Sequence, residues 1–310
     1  MKNRLRTAIG VVGLLTFLAV LPIVCKSQSP AAQHRQAVLV TGASTGIGRK
    51  ITERLAVDGY FVYAGARKEA DLRSLGAIKN VQAVRLDVTN QTDIDAAVET
   101  ITQAGRGLYG LVNNAGVATV GRLVDSKWEE FDLVMAVNVY GPYRVTKAFA
   151  PLIVAQKGRV TTIGSISGIL AGPDLSAYSM SKHAMEAFTD SLATQMAPLG
   201  VEVSIVEPGS YETQITQNAS RRMGADPRLG YLAGRKDPEE VAVAAEKALF
   251  EPNPKRRYMV VPNQVEAELT IKQQIEQLVQ LNEGQPYTYG REALVKMLDD
   301  ALAQAQPRAQ

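Results

Sequence analysis

Three side chains near the middle of the chain have the types and spacing for acid–base work at an oxygen atom: Ser165, Tyr178 and Lys182. Tyr178 and Lys182 are four residues apart at the start of a helical stretch, so they share one helix face. Ser165 precedes Tyr178 by 13 residues (178 − 165), enough for a loop from a strand end to a neighbouring helix. Hydride arriving at a carbonyl carbon leaves negative charge on oxygen, which must then receive a proton. A phenol titrates near ~10, too high to be an efficient base at neutrality. A neighbouring ammonium and a helix N-terminus both favour the phenolate, so Lys182 is expected to lower the pKa of Tyr178. Ser165 is suited to hold the substrate oxygen against the Tyr178 hydroxyl. Asn138, in a preceding helical stretch, is suited to hold a water linking Lys182 to solvent.

Taken singly, each residue has an ordinary reading: Tyr178 a half-buried helix residue, Lys182 a solvated one, Ser165 a turn former, Asn138 a polar residue inside a helix. Their joint order and spacing favour the chemical reading. Composition narrows the alternatives. The 310-residue chain has one cysteine, Cys25, inside an N-terminal apolar run, and two histidines, His34 and His183. Disulfides, a cysteine zinc site and a thiolate nucleophile are excluded from the folded part, and a histidine-dependent hydrolase or metalloenzyme has almost nothing to be built from. His183 neighbours Lys182 but points about 100° away around the helix, which reads as packing. No metal site is expected. A net charge of +3 with interspersed signs does not suggest a nucleic-acid partner.

The elements that must position these residues alternate along the chain. Ala37–Val40 reads as a strand buried on both faces, followed by a helix over Arg49 to Asp58. Further strands are expected at Tyr60–Ala64, Val81–Leu86, Leu108–Val112, Gly158–Ile163, Val201–Val206 and Arg257–Val261. Helices fall between them, at Thr92–Gln103, around Trp128–Ala150 and at Ala177–Ala197, with another opening at Asp237-Pro238. Alternating strands and helices imply right-handed crossovers and an α/β fold, a parallel sheet with helices on both faces. Ligands of such sheets bind beyond the C-terminal strand ends, where all the residues above fall.

Thr41-Gly42-Ala43-Ser44-Thr45-Gly46-Ile47-Gly48 joins the first strand to the first helix. Glycines there permit a tight turn and close approach of a pyrophosphate, and the helix N-terminus offers free N–H groups and partial positive charge. The spacing fits neither G-x-G-x-x-G nor a Walker loop. At the end of the second strand, Ala66-Arg67-Lys68 contains no acid for a free ribose 2′-hydroxyl, whereas Arg67 suits a 2′-phosphate. NADP(H) is therefore favoured, with NAD(H) the alternative.

Thr-Gly-x-x-x-Gly-x-Gly, Asn113-Asn114-Ala115-Gly116, Ser165, Tyr178-x-x-x-Lys182 and Pro208-Gly209 together resemble the short-chain dehydrogenase/reductase family over residues 36 to 262. The resemblance implies a single Rossmann-like domain, a doubly wound parallel sheet of about seven strands with helices on both faces, and an Asn138-Ser165-Tyr178-Lys182 tetrad. It also implies cofactor contacts from Gly42, Ser44, Gly46, Ile47 and Gly48, from Asp87 and Val88 at the adenine, and from Asn114, Ala115 and Gly116 along the groove. Tyr178, Lys182, Pro208, Gly209 and Thr213 would complete the nicotinamide end, and a homo-oligomer is implied as well. Ser181-Lys182-His183-Ala184-Met185-Glu186 with Val206-Glu207-Pro208-Gly209 is similar to the retinol and hydroxysteroid dehydrogenase subgroup, which implies lipid-like substrates.

The alternatives are a catalytically retired dinucleotide-binding scaffold, and epimerase or dehydratase chemistry on the same fold. The intact tetrad argues against the first and the short lid region against the second. That lid, Ser210 to Arg235 with Met223, Leu229 and Tyr231, lacks strong periodicity. Ile271, Ile275 and Leu278, then Leu294, Leu298 and Leu302, mark two amphipathic helices in a C-terminal extension, 263–310, suited to cover the pocket, form a dimer face or touch a membrane, and most simply to pack on the catalytic domain, 37–262. Residues 1–27, with Lys2, Arg4 and Arg6 before an uncharged run from Ala8 to Val24, read as a signal peptide or membrane anchor followed by a linker at 28–36. The chain is thus expected to be membrane-associated or exported, with its N-terminus on the cytoplasmic side. The triplets Asn90-Gln91-Thr92 and Asn218-Ala219-Ser220 fit a lumenal protein, while an NADP(H) requirement fits an intracellular one.

Overall fold

The computed structural model describes residues 36–222 and 235–305, so the N-terminal apolar segment and the lid residues Met223, Leu229 and Tyr231 lie outside the described residues. Its elements run β1 (Ala37–Val40), α1 (Gly46–Val57), β2 (Phe61–Ala66), α2 (Glu69–Gly76), β3 (Val81–Arg85), α3 (Gln91–Gln103) and β4 (Gly110–Asn113). They continue through α4 (Trp128–Met135), α5 (Gly141–Ala155), β5 (Arg159–Ile163), α6 (Ser176–Met196), β6 (Glu202–Pro208), α7 (Ile215–Arg222), α8 (Glu239–Phe250), β7 (Arg257–Val260), α9 (Gln264–Asn282) and α10 (Arg291–Ala305).

The seven strands form one sheet in the order β3-β2-β1-β4-β5-β6-β7, and every pairing is parallel. The chain leaves β1 in one direction along the sheet and returns to β4 on its other side, which opens a crevice at their C-terminal ends. The strands carry near-continuous apolar runs because both faces are covered. On one face Ile51 and Leu55 of α1 pack with Val241, Ala245 and Leu249 of α8. On the other, Ile94 and Ile101 of α3 meet Val145, Phe149 and Ile153 of α5 over Leu39 and Leu111.

The expected helical stretch from Trp128 to Ala150 is interrupted. A wide π turn, Ala136–Tyr140, separates α4 from α5. Pro142, near the start of α5, has no N–H to give to the carbonyl four residues back, which is that of Asn138. Asp237 does not itself cap α8 as the last residue before it. Its Oδ1 accepts from the Glu239 amide at 2.9 Å instead. The helix α7 was not foreseen, because two polar turns carry no apolar repeat. The amphipathic helices of the extension are present as α9 and α10, but they are not packed as expected: Ile271, Ile275, Leu278, Leu298 and Leu302 are all exposed. Only Thr270 of α9 is buried. The extension nevertheless reaches the catalytic domain through Glu266, whose Oε2 accepts from the Ser210 amide at 2.8 Å. Asn90 is occupied structurally, its Oδ1 accepting from the Thr92 amide at 2.9 Å to cap α3. Among the described residues no helix is long and apolar enough to cross a membrane.

Phe149 is wholly buried between α3, α5 and the sheet. Phe149→Ala is expected to lower unfolding free energy by about 3–5 kcal/mol in denaturant melts, whereas Val57→Ala, at a side chain 84% exposed, should leave it nearly unchanged.

Candidate active site

A single open cavity of about 850 Å³ runs along the C-terminal strand ends. At one end lies the glycine turn between β1 and α1. Gly42 has φ +64 and Gly46 φ +55, conformations that an L side chain rarely adopts. A Cβ at Gly42 would stand 2.8 Å from the Ala115 Cα, and one at Gly48 only 2.3 Å from Asn114 Nδ2 and 2.4 Å from the Gly42 carbonyl. The turn is therefore pressed against the end of β4, and Thr41 with Asn114 holds it there. Thr41 Oγ1 accepts from the amides of Asn114 and Ala115, each at 3.0 Å, and donates to the Val112 carbonyl at 3.3 Å. Asn114 Nδ2 donates to the Thr41 and Gly42 carbonyls at 2.9 and 3.1 Å. Gly42, Ser44, Gly46 and Ile47 line the cavity, and Gly48 lies behind them as a packing residue. The first-turn N–H groups of α1, 12 residues long, have no partner within the helix.

Further along, Arg67, Asp87, Val88, Asn114, Ala115 and Gly116 line the same cavity. Arg67 projects into solvent, 3.5 Å from Asp87 Oδ2. Burial pushes the Asp87 carboxyl upward, but hydrogen bonds from Thr89 and the charge of Arg67 outweigh it and hold the group below the ordinary carboxylate range.

At the far end Ser165, Tyr178, Lys182, Pro208 and Gly209 come together; Thr213, expected with them, lies back against the glycine turn, its Cβ 3.5 Å from where a Cβ of Gly46 would stand. Ser165 follows β5 and precedes a 3₁₀ turn, Ile166–Gly168. Its Oγ accepts from the Ser167 amide at 3.1 Å and makes a long contact of 3.4 Å to the Pro208 carbonyl. Lys182, on the first turns of α6, is buried. Its Nζ donates to the Ile163 carbonyl at 2.8 Å and lies 5.5 Å from the centre of the Tyr178 ring. Burial lowers the Lys182 pKa to about 8, partly opposed by the charge of Glu186.

Two expectations need correction. Tyr178 is not shifted toward the phenolate. Burial raises its pKa, and the hydrogen bond with Ser165 offsets this only in part. The ammonium expected to lower it is engaged with the Ile163 carbonyl, and desolvation of the phenolate outweighs its attraction. Asn138 does not face the cavity. Its Oδ1 accepts from the Val117 amide, and its Nδ2 donates to the Val117 carbonyl and to Ser181 Oγ, all at 2.9 Å. The side chain thus clamps the loop after β4 to α6. His183, expected to pack, is exposed, with its Nδ1 2.9 Å from the Ser179 carbonyl.

Sequence reasoning missed Thr41 and Ser181, the hydroxyls on which the Asn114 and Asn138 amides depend. It also missed Arg222, whose guanidinium reaches the Ala118 carbonyl from α7 and lies 3.7 Å from Glu130. Ser181 next to Lys182 gave no signal, because a helix serine is ordinarily a surface residue. The cavity beyond Tyr178 is walled by Leu133, Val137, Ile166, Leu170, Leu175 and Ile215, with Arg221 and Arg222 also lining it.

With this geometry, the family comparison is direct. The model of the short chain dehydrogenase family matches residues 36–224, and the chain belongs to that family. It is 40% identical over 195 residues to the rat mitochondrial D-beta-hydroxybutyrate dehydrogenase, a stretch covering 60% of this chain and 57% of that enzyme. To mouse retinol dehydrogenase 5 it is 38% identical over 187 residues, 58% of each chain. The chain thus spans little more than half the length of these relatives. Among solved structures, a short-chain dehydrogenase from Streptomyces avermitilis superposes with a TM-score of 0.70 at 28% identity, covering 81% of this chain and 96% of that one.

Gly48→Ala, which must displace Asn114, is expected to weaken dinucleotide binding by about tenfold or more, near 1.4 kcal/mol, in fluorescence titration. Asn138→Ala, which orphans buried Val117 and Ser181 groups, should cost about 1–3 kcal/mol of stability.

Proposed function

We propose that the protein is an NADP(H)-dependent oxidoreductase interconverting a ketone or aldehyde with an alcohol, with Tyr178 as the acid–base. The observation that carries this reading is the convergence of Ser165, Tyr178 and Lys182 on one cavity that also contains the glycine turn. The residues present fit a dinucleotide: a Cβ-free turn at Gly42 and Gly46, unpartnered helix N–H groups, and a cavity continuous from Arg67 to Lys182. Bound there, the nicotinamide supplies or accepts the hydride. The Tyr178 hydroxyl gives its proton to the substrate oxygen in reduction and takes it back in oxidation. Ser165 aligns that oxygen with the phenol, and Lys182 bonds the ribose and adds positive charge beside the phenol. The leucines, isoleucines and valine beyond Tyr178 offer apolar surface, with Arg221 and Arg222 beside it, and support a lipid-like substrate of the steroid or retinoid kind. Likeness to a hydroxybutyrate dehydrogenase and a retinol dehydrogenase supports chemistry at a secondary or primary alcohol. Arg67, exposed and only loosely paired with Asp87, supports preference for a 2′-phosphate. The N-terminal apolar segment supports attachment to a membrane, so detergent and not salt should release the protein from membranes.

Tyr178→Phe should abolish NADPH oxidation against a panel of ketones, aldehydes, steroids and retinoids, and unchanged turnover would refute the assigned acid. For wild type, kcat/KM of reduction should fall as pH rises through about 8, where the buried Lys182 loses its proton. Arg67→Asp should raise the KM for NADPH at least about tenfold more than that for NADH, since a bidentate charge pair is lost for the first cofactor alone. Equal effects on both would remove the case for NADP(H).

A further inference from the structure

Tyr178, Lys182, Glu186 and Asp190 follow one another at four-residue intervals on α6, forming a ridge that leads from the cavity to the surface. Behind Lys182 this ridge meets Glu207 of β6, whose side chain is 3% exposed, and Arg257 of β7. Arg257 Nε lies 3.1 Å from Glu186 Oε2 and 3.6 Å from Glu207 Oε1, and its Nη2 is 2.7 Å from Asp190 Oδ2. Arg256 reaches Asp190 Oδ1 at 3.6 Å. The 3₁₀ turn after Ser165 presents no charge, only Gly168, where a Cβ would come within 2.9 Å of Glu186 Oε1. Glu186 is therefore faced by Lys182 and Asp190 from its own helix, Glu207 from β6 and Arg257 from β7.

Among the described residues, Glu186 Oε1 and Glu207 Oε1 are buried with no hydrogen-bond donor. The two carboxyl groups converge on the one Arg257 Nε, at 3.1 and 3.6 Å, and so stand side by side. Two ionised carboxylates so placed repel, whereas one proton between them turns repulsion into a hydrogen bond. Burial and the charge of Glu186 push Glu207 up to about 8, and burial raises Glu186 as well despite Arg257.

We propose that Glu186 and Glu207 share a single proton at neutral pH, and that the remaining negative charge, kept on Glu186 beside Lys182, maintains the Lys182 ammonium in a site that burial would otherwise neutralise. Glu186 is thus a positioning residue acting through Lys182, and Glu207 holds the proton that limits the cluster to one charge. The catalytic consequence rests on the acid–base reading of Tyr178 and Lys182; the shared proton does not.

Infrared spectra of the full chain without substrate, at pH 7 and again at pH values well above that of the shared proton, test the pair directly. Wild type should show a protonated-carboxyl stretch at pH 7 that disappears on alkalinisation and is missing from Glu207→Gln at both pH values. In turnover, Glu186→Gln moves the charge onto Glu207, farther from Lys182. The alkaline limb of kcat/KM for reduction should fall by about one pH unit, while Glu207→Gln, which keeps the charge on Glu186, should move it less. Absence of the carboxyl band from wild type at pH 7, or equal displacement of the limb in both variants, would overturn the proposal. If Glu186→Gln does not fold, the band in wild type and its absence from Glu207→Gln decide the matter. Because the band is read without substrate, failure of the acid–base reading in Tyr178→Phe leaves this test standing.

Discussion

Lys182 depends on a hydrogen bond to a strand end. Its ammonium is buried at the floor of the cavity and donates to the carbonyl of Ile163, the last residue of β5. Taking a charged amine out of water is costly, and that cost is offset by a fixed carbonyl dipole from the sheet and by the Glu186 carboxylate one turn along α6. Because β5 is paired with β6 through Ile163 itself and with β4 as far as Thr162, that carbonyl cannot yield without disturbing the centre of the sheet. The position of Lys182 fixes in turn the face of α6 that carries Tyr178 and the ridge of carboxyls behind it.

The other end of the cavity depends on a comparable economy of polar groups. Asn114 and the Gly42 carbonyl occupy the space that a side chain at Gly48 would need, and Thr41 ties Asn114 in place, so the glycine turn is held by hydrogen bonds and steric exclusion together. Asn138 performs the same service one loop away, tying Val117 to Ser181 and so to the residue beside Lys182. The two asparagines bind protein to protein, and both keep the β4 loop from collapsing into the space a dinucleotide requires.

Much of this was legible in the residues alone. The all-apolar β1 and the glycines at 42, 46 and 48 announced a parallel strand leading into a helix, and the Tyr178–Lys182 interval placed both on one helix face. Less legible was anything that depends on what lies opposite. The direction of the Tyr178 shift turns on how deeply α6 is buried, which spacing does not disclose. The inward turn of the Asn138 amide follows from Ser181 standing across from it, two elements away in the chain. Glu186 and Glu207, 21 residues apart (207 − 186), meet only because β6 lies alongside β5 beneath α6. The α9 and α10 faces failed the expectation in the opposite sense: their apolar periodicity is real, but a periodic face does not say what covers it.

The most direct test of the electrostatic account is ultraviolet difference titration of Tyr178 in the protein without cofactor. The chain has 11 tyrosines, so the Tyr178 signal is obtained by subtracting the Tyr178→Phe titration from that of wild type. Burial beside a lysine held by Ile163 predicts that Tyr178 ionises above the value of an ordinary tyrosine. Ionisation well below that value in the free protein would contradict the account, because Lys182 would then already hold a phenolate without help from anything bound.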